Sequence, residues 1–186
     1  MRQVRSVCMA VASSDPDPAV DIRLYGPPVA DAFADRLWPC YQAVFGDFGD
    51  LESWRRDLFN RHAARAGYRL AVATDRDTVA GFAWGYTGER GQYWTDLVCD
   101  MLPREVTADW VGGHFEFVEL AVLAGYRRRG IGSRLHDALL RDVRQKCLLS
   151  TADDPDDPAV RLYLSHGWQR LGNLSPDFQV MGRPAS

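Results

Sequence analysis

The chain has 186 residues, 46% of them hydrophobic and 25% charged, which suits one folded domain and excludes an intrinsically disordered chain. A net charge of -3 and a pI of about 5.8 argue against a dedicated nucleic-acid binder, although a local basic patch stands at Arg127, Arg128 and Arg129. No run of 18 apolar residues occurs, so no segment reads as spanning a membrane.

Residues 1–18 read as a flexible tail. The apolar run Val7 to Ala12 is too short for a secretory core region, and Ser13 to Pro18 is a cluster of turn formers. Residues 19–186 read as a single domain with an insertion at about 87–113. Val20 to Tyr25 alternates apolar and polar, as a first strand does. Pro27 and Pro28 open a helical stretch whose apolar positions Val29, Phe33, Leu37, Trp38, Tyr41 and Val44 recur at spacings of three and four. A second helix runs from an N-cap at Asp50 to about Ala66 and ends at Gly67. Tyr68 to Thr74 and Thr78 to Tyr86 form a hairpin, with Gly81 and Gly85 marking bulges or close backbone approach.

Residues 87–113 fit no strand period and predict one or two short helices. The aromatic residues Trp84, Tyr86, Tyr93, Trp94 and Trp110 around them form either a satellite core or an acceptor-binding wall, and Asp96 and Asp100 either attract a cation or cap a helix. His114 to Leu123 is the clearest strand. A turn from Ala124 to Arg129 reaches Gly130, and Ile131, Leu135, Ala138, Leu139 and Val143 then make a helical stripe. Lys146 to Thr151 is a strand, Ala159 to Ser165 a short helix, and Trp168 to Leu171 and Phe178 to Met181 are the last strands.

The four cysteines, Cys8, Cys40, Cys99 and Cys147, are far apart and form no C-x-x-C pair. The four histidines are scattered, with no H-E-x-x-H. Reduced thiols in a cytoplasmic protein and no metal site are the expectation. The acidic loop Asp153 to Asp157 lacks the spacing of a calcium loop.

The segment that carries chemistry is 119–135. A strand ends and a helix begins, with Gly130 and Gly132 at the junction and three arginines beside them. Such glycines let the backbone approach a ligand and present consecutive N–H groups, and the helix adds its positive end, so the arrangement suits a pyrophosphate. A Walker A loop is excluded because Ile131 stands where its lysine belongs. A dinucleotide fingerprint is excluded because Leu135 stands where its third glycine belongs.

This segment resembles the cofactor signature Arg/Gln-x-x-Gly-x-Gly/Ala of the GCN5-related N-acetyltransferase superfamily, matched by Arg127-Arg128-Arg129-Gly130-Ile131-Gly132. Ala159 to Trp168 (AVRLYLSHGW) resembles a second signature, A-x-x-L-Y-x-x-x-G-F, and the order of elements from 20 to 182 fits as well. The resemblance implies an α/β fold of the α+β type, with a mixed, mostly antiparallel sheet of six or seven strands flanked by about four helices. It implies acetyl-CoA as co-substrate. The backbone of Ala121, Val122 and Leu123 would pair with the pantetheine arm, and the amides from Arg127 through Arg128, Arg129, Gly130, Ile131 and Gly132 to Ser133 would hold the pyrophosphate. Splaying of the strand around Val122 from the strand at 147–151 would open the slot. Ala159 and Asp156 belong to the same cofactor region, Asp156 standing where the family often has asparagine. Tyr163 would protonate the departing thiolate.

Two glutamates are candidate bases, Glu116 and Glu119. In a regular strand they face opposite sides, and a bulge would change that. The sequence leans to Glu119, nearer the thioester end. No cysteine falls in these segments, which favours direct attack in a ternary complex over a cysteine-bound intermediate. The expected acceptor is a small-molecule primary amine, with a protein or peptide amine and a non-catalytic acyl-CoA-binding module as alternatives. The resemblance also implies a homodimer through the C-terminal strands.

Overall fold

The computed structural model describes residues 20–27 and 32–185. The tail at 1–18 with Cys8, and the proposed helix opening at Pro28 and Val29, lie outside the described residues.

Seven strands form one sheet in the order β1-β2-β3-β4-β5-β7-β6. They are β1 (Asp21–Tyr25), β2 (Arg69–Asp75), β3 (Thr78–Gly88), β4 (His114–Val122), β5 (Cys147–Ala152), β6 (Gln169–Asn173) and β7 (Phe178–Arg183). All neighbouring pairs are antiparallel except β4 with β5. The β2–β3 hairpin turns at Arg76-Asp77, and Arg76 adopts φ 52° to close it.

Helix α1 (Ala34–Val44) and a composite rod cover one face of the sheet. The rod is α2 (Leu51–Trp54), a π-helical turn (Arg55–Phe59) and α3 (Asn60–Ala63). Asp50 caps the rod as its position suggests, accepting from the Ser53 amide at 2.7 Å. The π turn has no signature in the apolar spacing; there the Asn60 N–H reaches back to the Arg55 carbonyl. Trp54, Phe59, Tyr41, Phe82 and Trp84 fill the core beneath, all 1% exposed or less.

On the other face lie α6 (Ile131–Leu140) and α7 (Pro158–Ser165), packed on Phe115, Phe117, Leu149 and Met181. Leu135 and Leu139 of α6 are fully buried, each contributing on the order of 2 kcal/mol through lost apolar surface. The segment at 87–113 forms two short helices, α4 (Tyr93–Met101) and α5 (Arg104–Trp110), so the helices exceed the four main ones expected. These two pack through Val98 and Leu102 on Leu148 and Val180. No helix among the described residues is long and apolar enough to cross a membrane.

Candidate active site

The parallel pairing of β4 with β5 lasts for two residue pairs only, Phe115 with Cys147 and Glu116 with Leu148. Beyond Glu116 the strands part, while β5 stays paired with β7 up to Ala152. The C-terminal half of β4 therefore has a free edge. Leu123 N–H bonds the Ala80 carbonyl at 2.9 Å, towards β3, so by strand alternation the polar groups of Val122 face the open edge. There the Val122 carbonyl accepts from Arg127 Nε at 3.1 Å.

The gap continues into a groove of about 590 Å³ lined by Leu120, Val122, Arg128, Gly130, Ser133 and Ala159, among others. At its end, α6 begins without a side-chain cap. Its N-cap is Gly130, left-handed at φ 71°, a conformation that a side chain makes costly. The first amides of a helix have no partner within it, so Ile131, Gly132 and Ser133 present donors and the positive end of the helix to the groove. Arg127, Arg128 and Arg129 are exposed around the turn; Arg129 is anchored on the Gly125 carbonyl at 2.8 Å.

Asp157, rather than its neighbour, caps α7, accepting from Ala159 N at 2.7 Å and Val160 N at 3.4 Å, and it lines the groove. Asp156 is exposed and pairs with Arg161 at 2.6 Å. In the sequence Asp157 reads only as part of the acidic loop, although an aspartate directly before a helix-opening proline is a cap signal. Tyr163, on α7, packs edge-on against Phe117 and is 7% exposed. Burial, then the charges of Glu119 and Asp157, push its hydroxyl well above the ordinary phenol range, so it stays protonated at neutral pH.

The two glutamates share a face because β4 bulges. Its pairing with β3 steps from Glu119 opposite Trp84 to Phe117 opposite Gly85, which leaves Val118 as an extra residue. Glu116 lies opposite Tyr86, and Trp84 and Tyr86 are two apart on one strand, so both carboxylates point towards the α1 and α3 side. Gly85 is required at this step: a Cβ there would run into the Glu116 backbone oxygen and lie 2.6 Å from the Phe115 ring.

Glu116 is 4% exposed. Its Oε1 accepts from the Tyr86 hydroxyl at 2.9 Å, and its Oε2 has no hydrogen-bond partner. Burial pushes its carboxyl up to about 7, partly offset by Tyr86 and Arg65. Glu119 is partly buried. Withdrawal from water, then the Asp47 carboxylate, push it up to about 8. Its charge also helps to raise the hydroxyls of Tyr41, Tyr86 and Tyr163.

A second pocket, of about 480 Å³, opens beside Glu116. The composite rod contributes Arg61 and His62, with Arg65 just beyond it; β3 contributes Tyr86; Gln92, Tyr93 and Trp94 lead into α4. The aromatic residues of this region therefore divide. Tyr86, Tyr93 and Trp94 line the pocket, Trp84 is fully buried in the core, and Trp110 packs near Gly182. Asp96 accepts from the Gly91 amide at 3.0 Å, a local turn contact.

Among the described residues, one trio has potential metal-ligand atoms within 4.8 Å of one another: His136, Asp137 and His166. His136 Nε2 accepts from Trp168 Nε1 at 2.9 Å, tying α6 to the residue before β6, and its Nδ1 meets its neighbour Asp137 at 3.0 Å, so both ring nitrogens are engaged. The described cysteines Cys40, Cys99 and Cys147 are free thiols, and burial pushes Cys147 up to about 11.

Comparison with known proteins agrees with this geometry. The model of the acetyltransferase (GNAT) family matches residues 30–168. A GCN5-like protein acetyltransferase of Mycobacterium tuberculosis is 31% identical over 152 residues, spanning 65% of this chain and 71% of that protein. The fold is shared with Ard1 from Thermoplasma volcanium (TM-score 0.58, 21% identity, 90% of this chain and 99% of that one). It is also shared with PaiA N-acetyltransferase from Thermoplasma acidophilum in complex with coenzyme A (TM-score 0.54, 13% identity, 89% and 98%). An uncapped glycine-led helix facing a parted β4–β5 pair, set within a family match over most of the chain, makes this protein an acyltransferase of the acetyltransferase (GNAT) family.

Proposed function

We propose that the protein transfers an acetyl group from acetyl-CoA to a primary amine of a small molecule, by direct attack in a ternary complex. The observation that carries this reading is the uncapped start of α6 opening onto the gap between β4 and β5. The open edge of β4 at Ala121 to Leu123 suits the amide-bearing pantetheine arm as an added strand. The amides from Arg127 to Ser133 suit the pyrophosphate.

The amine nitrogen attacks the thioester carbon, the C–N bond forms, and the C–S bond breaks. Glu119, directly or through a water, takes the proton that the ammonium or the attacking nitrogen must lose. Tyr163 gives its proton to the leaving sulfur. Glu119 is favoured over Glu116 as base because it lies on the part of β4 beyond its pairing with β5, whereas Glu116 is still paired opposite Leu148 and is held by Tyr86 on the floor of the second pocket. That pocket is the acceptor site in this reading. Its volume and aromatic walls suit a small ligand.

The name of the mycobacterial relative, a protein acetyltransferase, favours a second reading in which the acceptor is a lysine or terminal amine of a polypeptide. Release of coenzyme A thiol from acetyl-CoA, measured across polyamines, aminoglycosides, amino acids and peptides, separates the two. Turnover on small amines is expected, and turnover on peptides alone would sink the small-molecule assignment. Binding of acetyl-CoA without turnover on any amine would leave a non-catalytic binding module. A cytoplasmic setting, favoured by the free thiols, and a homodimer belong to the same reading. Sedimentation tests the dimer.

A further inference from the structure

The pocket beside Glu116 carries charges that acyl transfer alone does not require. Arg61 lies at its exposed rim. Arg65, four residues on, is half-buried, with its guanidinium carbon 5.9 Å from the centre of the Tyr86 ring. Among the described residues neither has a carboxylate within 4.0 Å. Two acids also line the pocket, and each has another partner: Asp57 meets the Arg56 guanidinium with both oxygens, at 2.8 and 2.7 Å, and Glu116 accepts from the Tyr86 hydroxyl. His62, between the two arginines, adds no charge. Burial, then Arg65 and Arg61, push it down to about 4, and its buried Nδ1 has no hydrogen-bond partner.

The pocket thus has two guanidiniums on one wall and, on its floor, a 4% exposed carboxylate with an unpartnered oxygen. Guanidiniums bind carboxylates through paired N–H groups, and the geometry of a partly enclosed site strengthens that preference. The π turn in the rod supports the assignment: such turns shift the register of a helix and recur at functional sites. Here it lies one turn before Arg61.

We propose that the acceptor is a small amine that also carries a carboxylate, its anionic end held by Arg61 and Arg65 and its amine directed past Glu116 to Glu119. This rests on the reading of the second pocket as the acceptor site.

The test uses matched probes, phenylalanine against phenethylamine and 4-aminobutyrate against butylamine, with acetyl-CoA as donor. At least one carboxylated member is expected to exceed its partner about tenfold or more in kcat/KM. The double substitution Arg61→Gln with Arg65→Gln is expected to raise KM for that carboxylated probe at least about tenfold more than KM for its plain partner, with KM for acetyl-CoA unchanged. Equal use of both members of each pair, or an equal effect of the substitutions on both, overturns the proposal. So does efficient acetylation of lysine peptides that lack carboxylates.

Equilibrium titration of the same probes into protein saturated with coenzyme A reads the pocket without turnover. Binding that the double substitution abolishes supports the assignment, and absence of binding to the unsubstituted protein overturns it. If arginine-dependent binding is seen but no amine is acetylated, the transfer reading fails while the pocket assignment stands.

Discussion

The groove proposed for the donor and the pocket proposed for the acceptor lie at opposite ends of one strand, and they are built in different ways. The groove is made of backbone: the free edge of β4, the left-handed Gly130 and the first amides of α6. These backbone parts are adjacent in sequence, within 121–133, and the start of α7 closes the groove from the side. The pocket is made of side chains from the composite rod, β3, the 87–113 segment and β4. A backbone site tolerates most changes of side chain and fails on loss of its glycines. A side-chain site can change its ligand with one or two substitutions. In the proposed reading, donor binding rests on backbone shape, whereas acceptor choice rests on side chains of this particular chain.

The largest expected effect breaks the groove alone. Gly130→Glu places a β-carbon at φ 71° and a carboxylate where a pyrophosphate would lie. Affinity for acetyl-CoA, read by calorimetry, should fall at least about 100-fold, equivalent to roughly 2.7 kcal/mol. Retained affinity would remove the groove from the account.

Next comes the base. Glu119→Gln should lower kcat by about 100- to 1,000-fold while leaving the Kd for acetyl-CoA unchanged. In the proposed role Glu119 works only when ionised, and its carboxyl is held up to about 8. The rate of the unsubstituted enzyme should therefore climb as pH rises through 7 to 8, and this limb should vanish in the variant. An equally large loss in Glu116→Gln, with Glu119→Gln mild, would exchange the roles of the two glutamates.

Tyr163→Phe should lower kcat about tenfold, with larger losses for thioesters of poorer leaving groups. An unchanged kcat would make Tyr163 a packing residue only.

The last effect concerns stability rather than rate. Glu116 has a folded-state carboxyl raised to about 7 against an ordinary value of 4.5, so the folded protein holds a proton that the unfolded chain releases. Stability is then greatest below about 4.5 and declines as pH rises towards 7. Glu116→Gln should match the unsubstituted protein at pH 4 and exceed it at pH 8 by on the order of 2 kcal/mol, measured by denaturant titration. A destabilised variant at pH 8 would mean that the Tyr86 contact outweighs the cost of burying the charge.

The same contrast explains how much was legible in the sequence. Most strands and the start of α6 follow from apolar spacing and glycine placement, because each is decided within a dozen residues. The glycine-led turn before α6 was legible for the same reason. The shared face of Glu116 and Glu119 was not: it depends on Val118 bulging against a step between Trp84 and Gly85, more than thirty residues away. Gly85 was visible as an oddity, but its partner was not. The pocket was harder still. Arg61 and Arg65 look like solvated helix charges until the π turn and the fold of the sheet bring them beside Tyr86 and Glu116. Asp157 was within reach and was overlooked beside Asp156.

The most direct test of the central claim is a titration of acetyl-CoA followed through backbone amide resonances. The account predicts the largest shifts at Val122 and from Arg128 to Ser133, with small ones at Arg61, Arg65 and Trp94. Shifts concentrated at Arg61, Arg65 and Trp94, with 128–133 unmoved, would contradict it.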